Sequence, residues 1–200
     1  MDYIDQITND LDQELIAEIN KHGIPTLEDY NDITNIALRI AKELNADLDI
    51  VKLGSKLIHA KIGEAIAQKK WTEHTNMALG FAMEFFKKYP LNENIKNKVF
   101  ICIREHRDKT FSCKEAEICA NANCYKYLLP RKILKMFYNF RSQGYNFEEI
   151  LFLAEEKVEQ KWNFLTLEVC KKELEQNYKK IKEFLESAKL LTIKDIDTKA

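Results

Sequence analysis

The chain has 200 residues, enough to bury a substantial hydrophobic core without disulfides or a structural metal. Its 31 basic and 32 acidic residues almost cancel and 46% of its residues are hydrophobic, so nothing in the overall charge points to a nucleic-acid or membrane surface. No window holds the roughly 18 uncharged apolar residues of a spanning helix, the acidic opening MDYIDQITNDLDQEL lacks a signal-peptide layout, and five cysteines without a CxxC fit reduced thiols, so a cytoplasmic location is expected.

Ile4, Ile7, Leu11, Leu15 and Ile19 recur at helical spacing, and His22-Gly23 with Pro25 beyond ends that segment, which predicts a first amphipathic helix. Thr26 followed by Asp29 reads as a capping box opening a second, with Tyr30, Ile33, Ala37, Ile40 and Leu44 on one apolar face. A third, mostly buried, is predicted from about Asp49 through Leu53, Leu57, Ile58 and Ile62 to Gly63. Glu64 to Trp71 fits a helical turn or a loop. Thr72 is the expected cap of a fourth helix, which carries Met77, Phe81, Phe85 and Phe86 and ends before Pro90. A fifth starts behind Asn92 and carries Ile95, Val99 and Ile103 to His106.

Ser112-Cys113-Lys114-Glu115 reads as a capping box for a sixth helix reaching about Tyr127. Pro130 opens a seventh, closed by Gly144. Asn146 to Glu149 cap an eighth ending near Trp162, and Thr166 starts the last, with Cys170, Leu174, Tyr178, Ile181 and Leu185 toward a core. All three prolines fall at these boundaries, and no stretch alternates apolar and polar for long enough to argue for a strand. The expected fold is therefore all-α, a single-domain bundle of about eight to nine helices over residues 1–190, with a polar tail at 191–200.

Three of the four histidines, His59, His74 and His106, fall at or near the end of a predicted helix, where imidazoles can converge on one pocket. Each also has a simpler explanation. His59 beside Leu57 and Ile58 suits a core imidazole bonded to a carbonyl. His74 at a helix start favours a neutral ring, because that end is already positive. His106 at a helix end can interact with the last carbonyls. Asp29 suits the acid at a helix start, worth about 0.3–1 kcal/mol.

Arg104, Arg107 and Lys109 flank His106 and can meet a phosphate, since a guanidinium bonds two oxygens at once, or form a solvated face. Cys113, Cys119 and Cys124 do not match zinc-finger spacing and read as buried or half-buried thiols. Trp71 and Trp162, with Phe81, Phe85 and Phe137, read as core.

In their order and spacing, LIHAKIG, TEHTNMALGFA, IREHRDK and SCKEAEICANANCYKYL resemble the HD superfamily of metal-dependent phosphohydrolases. The resemblance covers roughly residues 26–127, and helices at 131–188 would pack on that core. It implies an all-helical HD-like bundle in which His59 matches the histidine of the His-Asp pair, while His74 and His106 match two additional histidines. Departures are equally specific. Ala60 stands where the family has aspartate, Asn123 where its closing aspartate is expected, Asn121 replaces the acid two residues earlier, and Asp29 lies near the first histidine's place.

The implied metal ligands are His59, His74 and His106, with Asp29 and Asn123 beside them, and Arg104, Arg107 and Lys109 would bind phosphate. No catalytic residue is assigned. Three imidazoles with one acid suit a single divalent transition metal, zinc, manganese, iron or nickel; a metal-free site is the alternative. Two metals would need anionic bridging that this set lacks. The implied function is phosphohydrolysis of a nucleotide or small phosphate ester at a mononuclear site. The alternative is a catalytically inactive HD-like domain that binds a phosphorylated ligand or a protein partner. A third reading, a closed pocket with self-association through the terminal helices, makes a homodimer the partner.

Overall fold

The computed structural model describes residues 3–190; the expected tail at 191–200 lies outside them. Among the described residues the chain forms ten α-helices and one 3-10 turn, with no strand, as the all-α expectation requires. It divides into two compact units, the first ending at Asn123 and the second beginning at Cys124.

The first unit opens with α1 (Tyr3–His22), whose stripe of Ile4, Ile7, Leu11 and Leu15 is buried. Burying each such side chain contributes about 1.5–3 kcal/mol, which is what holds a helix of this modest propensity in place. In α2 (Leu27–Glu43) the expected capping box forms. The Thr26 hydroxyl accepts from the Asp29 N–H at 3.3 Å, and Asp29 Oδ2 accepts from the Thr26 N–H at 3.1 Å. Asp47 caps α3 (Leu48–Leu57), which packs on α2 and on α6 (Glu93–Glu105). At Gly54 the contact with α6 is close: a Cβ there would lie 2.9 Å from Cys102 Cβ.

The predicted third helix does not continue to Gly63. It stops at Leu57, and Ala60 N–H donates to Leu57 O and Ile62 N–H to His59 O, i to i+3 bonds that turn the chain through His59 and Ala60 into a short α4 (Ile62–Ala67). Two tertiary contacts explain the break. The Tyr30 hydroxyl donates to the His59 carbonyl at 2.8 Å, taking it away from a helical ladder. Burial, with Glu18 and Asp29 adding to it, pushes the Tyr30 phenol well above its usual range, so it remains a donor. Gly63 then lies against the chain beyond α1, where a Cβ would sit 2.2 Å from the Ile24 carbonyl oxygen. Gly63→Ala is expected to cost about 3 kcal/mol, near the upper end of overpacking effects because the obstacle is backbone, read as a lowered urea midpoint.

Thr72 is not a cap. It lies inside a 3-10 turn, Trp71–Glu73, and α5 (His74–Phe86) follows behind Glu73 with no side-chain cap bond. Asn92 does cap α6, accepting from the Asn94 N–H at 2.8 Å. The box expected at Ser112 and Glu115 is replaced. Helix α7 (Lys114–Leu128) starts one residue later than a Ser112 cap requires, Ser112 donates to Glu105, and the Glu115 carboxylate takes the Asp47 N–H and the Lys98 ammonium.

In the second unit, α8 (Pro130–Ser142) packs on α9 (Phe147–Phe164), and α9 on α10 (Glu168–Leu190). Asn146 and Glu149 form the predicted capping box, and Gly144 takes a positive φ of 94° after α8. Trp162 stacks on Tyr178, ring centroids 4.4 Å apart, and the Tyr178 hydroxyl donates to Glu159. No helix among the described residues is long and apolar enough to cross a membrane.

Candidate metal centre

Three elements of the first unit each deliver one histidine to the same place. His59 comes from the turn behind α3, His74 is the first residue of α5, and His106 caps the end of α6. All three are buried, with 4%, 1% and 2% of their surfaces exposed. Their ring centroids lie 5.3–5.9 Å apart, and one nitrogen of each falls within 4.8 Å of the others, a set that can hold a metal ion.

Hydrogen bonds fix the protons on two of these rings. His74 Nδ1 faces the Trp71 carbonyl at 2.8 Å, and His106 Nδ1 faces the Ile103 carbonyl at 2.7 Å. A carbonyl only accepts, so both Nδ1 atoms carry the hydrogen. Neutral rings in that tautomer present bare lone pairs at Nε2, and the two Nε2 atoms are 3.2 Å apart. Facing lone pairs repel unless a metal cation lies between or beside them or one ring takes a second proton and donates Nε2–H to the other. Nitrogen ligands at about 2.0–2.1 Å in a tetrahedral shell are separated by roughly 3.3–3.4 Å, so this spacing suits two ligands of one ion. A carbonyl behind each ligating imidazole is the usual outer support of such a site.

Asn123, buried on α7, brings Oδ1 to 2.9 Å from His59 Nε2. With a cation, both atoms can turn lone pairs toward it; without one, His59 Nε2–H donates to the amide oxygen. The other expected acid position behaves differently, since the Asn121 amide donates to the Glu117 carbonyl within its own helix. Ala60 is buried beside His59 and offers no donor atom. Among the described residues the converging set is three imidazoles and no carboxylate.

Asp29 serves the start of α2. Its Oδ2 accepts from both the backbone N–H and the hydroxyl of Thr26, and it is not one of the groups that converge with the histidines. The bland reading of His106 and the metal reading both describe real contacts, one at each ring nitrogen. Arg104, Arg107 and Lys109 are exposed on and after the end of α6, and Arg107 has its guanidinium 5.4 Å from the centre of the Trp71 ring. Trp71 itself is a correction. It is 40% exposed rather than core, and its ring stacks on His74 with centroids 5.0 Å apart.

Residue types alone did not mark Trp71, Ile103 and Tyr30 as supports. The signal for the first two is spacing, since each carbonyl lies three residues before its histidine. A second group able to hold an ion, Glu18, His22 and Glu64, is half-buried, but the Lys61 ammonium already sits 2.9 Å from Glu18 and 3.0 Å from Glu64. Cys119 and Cys124 are buried and Cys113 half-buried, as expected, and burial pushes the Cys124 thiol up to about 11.

Fold and site together define an all-α protein with a buried three-histidine cluster able to take a metal. No family model and no curated protein matches the sequence. Among solved structures it is similar to the crystal structure of Bacillus subtilis YpgQ in complex with ADP, with a TM-score of 0.69 and 14% identity over 96% of each chain. That likeness is one of fold, and the nucleotide belongs to YpgQ.

Proposed function

We propose that this chain is an HD-superfamily phosphohydrolase homologue that holds one divalent transition metal on His59, His74 and His106 and acts on a nucleotide or small phosphate ester. The observation that carries the reading is the pair of opposed Nε2 atoms whose tautomers are fixed from behind by carbonyls. The order of the histidine-bearing segments supports it, and so does the fold shared with a protein crystallised with ADP.

A bound metal would polarise a phosphoryl oxygen and acidify a water. The chain's own contributions are separate. The carbonyls of Trp71 and Ile103 hold two imidazoles in register, the Tyr30 hydroxyl fixes the turn that carries His59, and Asn123 supplies a neutral oxygen beside His59. Arg107 and its neighbours Arg104 and Lys109 draw phosphate to the same end of α6.

A second reading, binding of a phosphorylated ligand without turnover, is favoured by one observation: Ala60 and Asn123 leave the converging set without a carboxylate. Both readings expect a phosphorylated ligand to bind, and only the first requires the metal; they part at phosphate release. Protein purified without chelator is expected to carry about one transition metal per chain, and ADP and related nucleoside phosphates are to be followed for inorganic phosphate under saturating metal. Release above the chelated control supports hydrolysis. ADP binding with no release selects the second reading, and no uptake of zinc, manganese, iron or nickel rejects hydrolysis at a metal site and leaves only ligand binding to test.

A further inference from the structure

Trp71 is joined to the candidate site by three contacts at once. Its carbonyl accepts from His74 Nδ1–H, its ring stacks on the His74 ring at 5.0 Å and 21°, and the Arg107 guanidinium lies over the same indole at 5.4 Å. Arg107 directly follows His106, so the chain turns one residue into the cluster and the next outward onto the indole. At 40% exposure the tryptophan retains an open surface, which a purely structural core aromatic would not.

We propose that Trp71 is a positioning residue that holds Arg107 beside the histidine cluster, making this guanidinium, ahead of Arg104 and Lys109, the group that grips the phosphate of an incoming nucleotide. The inference rests on the phosphate-ester reading above. Its physical basis is pre-organisation. An exposed arginine loses rotamer freedom when it binds phosphate, and a guanidinium already seated on an aromatic face has given up part of that freedom beforehand. The indole leaves the in-plane N–H groups free in direction for a two-oxygen contact, because a stacked guanidinium donates around its rim. Meeting that ordering cost in advance corresponds to up to about a tenfold gain in affinity.

The structure also supplies the reporter. The chain has two tryptophans, and Trp162 stacks on Tyr178 in the other unit, so Trp162→Phe leaves Trp71 as the single emitter. In that background, titration with ADP and separately with inorganic phosphate is expected to change Trp71 emission. Against the full chain, Trp71→Ala is expected to weaken ADP and phosphate about tenfold while metal content stays the same, because the carbonyl on His74 is backbone. Trp71→Phe, which keeps a ring face, should recover most of the affinity.

Arg107→Ala should weaken binding to a similar degree, and the double variant should be little worse than either single one. Additive losses, or unaltered affinity in Trp71→Ala, would overturn the positioning role while leaving the phosphate-ester reading standing. Loss of metal in Trp71→Ala would likewise overturn it, showing that the residue serves His74 alone. Should the unmodified chain take up metal yet bind neither ADP nor phosphate, the parent reading fails and the role of Trp71 fails with it.

Discussion

His106→Ala is expected to lower metal affinity by on the order of 100-fold or more, whereas His22→Ala leaves it unchanged. His106 contributes two things that no neighbour replaces. Its Nε2 faces His74 Nε2 at 3.2 Å, and its Nδ1–H is spent on the Ile103 carbonyl, which fixes both the ring's orientation and its tautomer. Truncation removes a ligand and also ends the close approach of the two Nε2 atoms, while the Trp71 carbonyl still holds the proton of His74 on Nδ1. His22 belongs to the other group of potential ligands, where the Lys61 ammonium already pairs with both Glu18 and Glu64. Elemental analysis of the two variants beside the unmodified protein decides between the clusters. Metal lost in His22→Ala and kept in His106→Ala would place the ion on Glu18 and Glu64 and remove the basis for the proposed function.

The sign of the stability change provides an independent check. With a saturating metal, His106→Ala should unfold at a markedly lower temperature than the unmodified chain, because an ion at about 1,000 times its Kd contributes roughly 4 kcal/mol to the folded state. In chelator the gap should narrow, since truncation then also ends the contact between two lone pairs. A gap that is the same with and without metal would mean the cost is packing alone.

What the sequence reveals and what it hides separates along a physical line. Caps are local, and those at Thr26 with Asp29, at Asn92 and at Asn146 with Glu149 were legible because each bond closes within three residues. The end of α3 was not legible. Nothing in KLIHAKIG forbids a continuing helix; the break needs the Tyr30 hydroxyl from 29 residues earlier and the close passage of Gly63 by Ile24. Glu115 shows the same thing from the other side. Its position fits a capping box, but Asp47 N–H and Lys98 compete for the carboxylate and win.

For the site, three histidines at helix ends pointed to one place and the structure brings those three together, while Asp29, assigned to the site by alignment with a family pattern, has its Oδ2 on the Thr26 N–H and hydroxyl. Trp71 was hidden because its main polar contact is a backbone carbonyl, which residue type does not encode.

Ala60→Asp is expected to change stability in opposite directions with and without metal, and it tests the resemblance at its most specific departure. Ala60 follows His59 in the turn and is 2% exposed, so a carboxylate introduced there enters a buried environment next to a member of the histidine cluster. Without a cation, an uncompensated buried charge of this kind costs about 3–5 kcal/mol. At roughly 2–4 °C per kcal/mol for a chain of this length, the metal-free variant should melt on the order of 10 °C below the unmodified protein.

With zinc, manganese, iron or nickel present the same charge becomes an anionic ligand, and four donors of which one is an acid are a better set for a divalent ion than three neutral rings with an amide oxygen. The variant should therefore recover more stability on metal addition than the unmodified chain does, and bind the ion more tightly. If hydrolysis is limited by the missing acid, phosphate release from a nucleotide should rise with it. An Ala60→Asn variant separates charge from bulk, because it fills the same space without the negative charge and should lose stability while gaining no more from metal than the unmodified chain does. Equal losses for both variants in metal and in chelator would show that this position does not address the ion, and the match of LIHAKIG to a His-Asp pair would then be one of helix pattern alone.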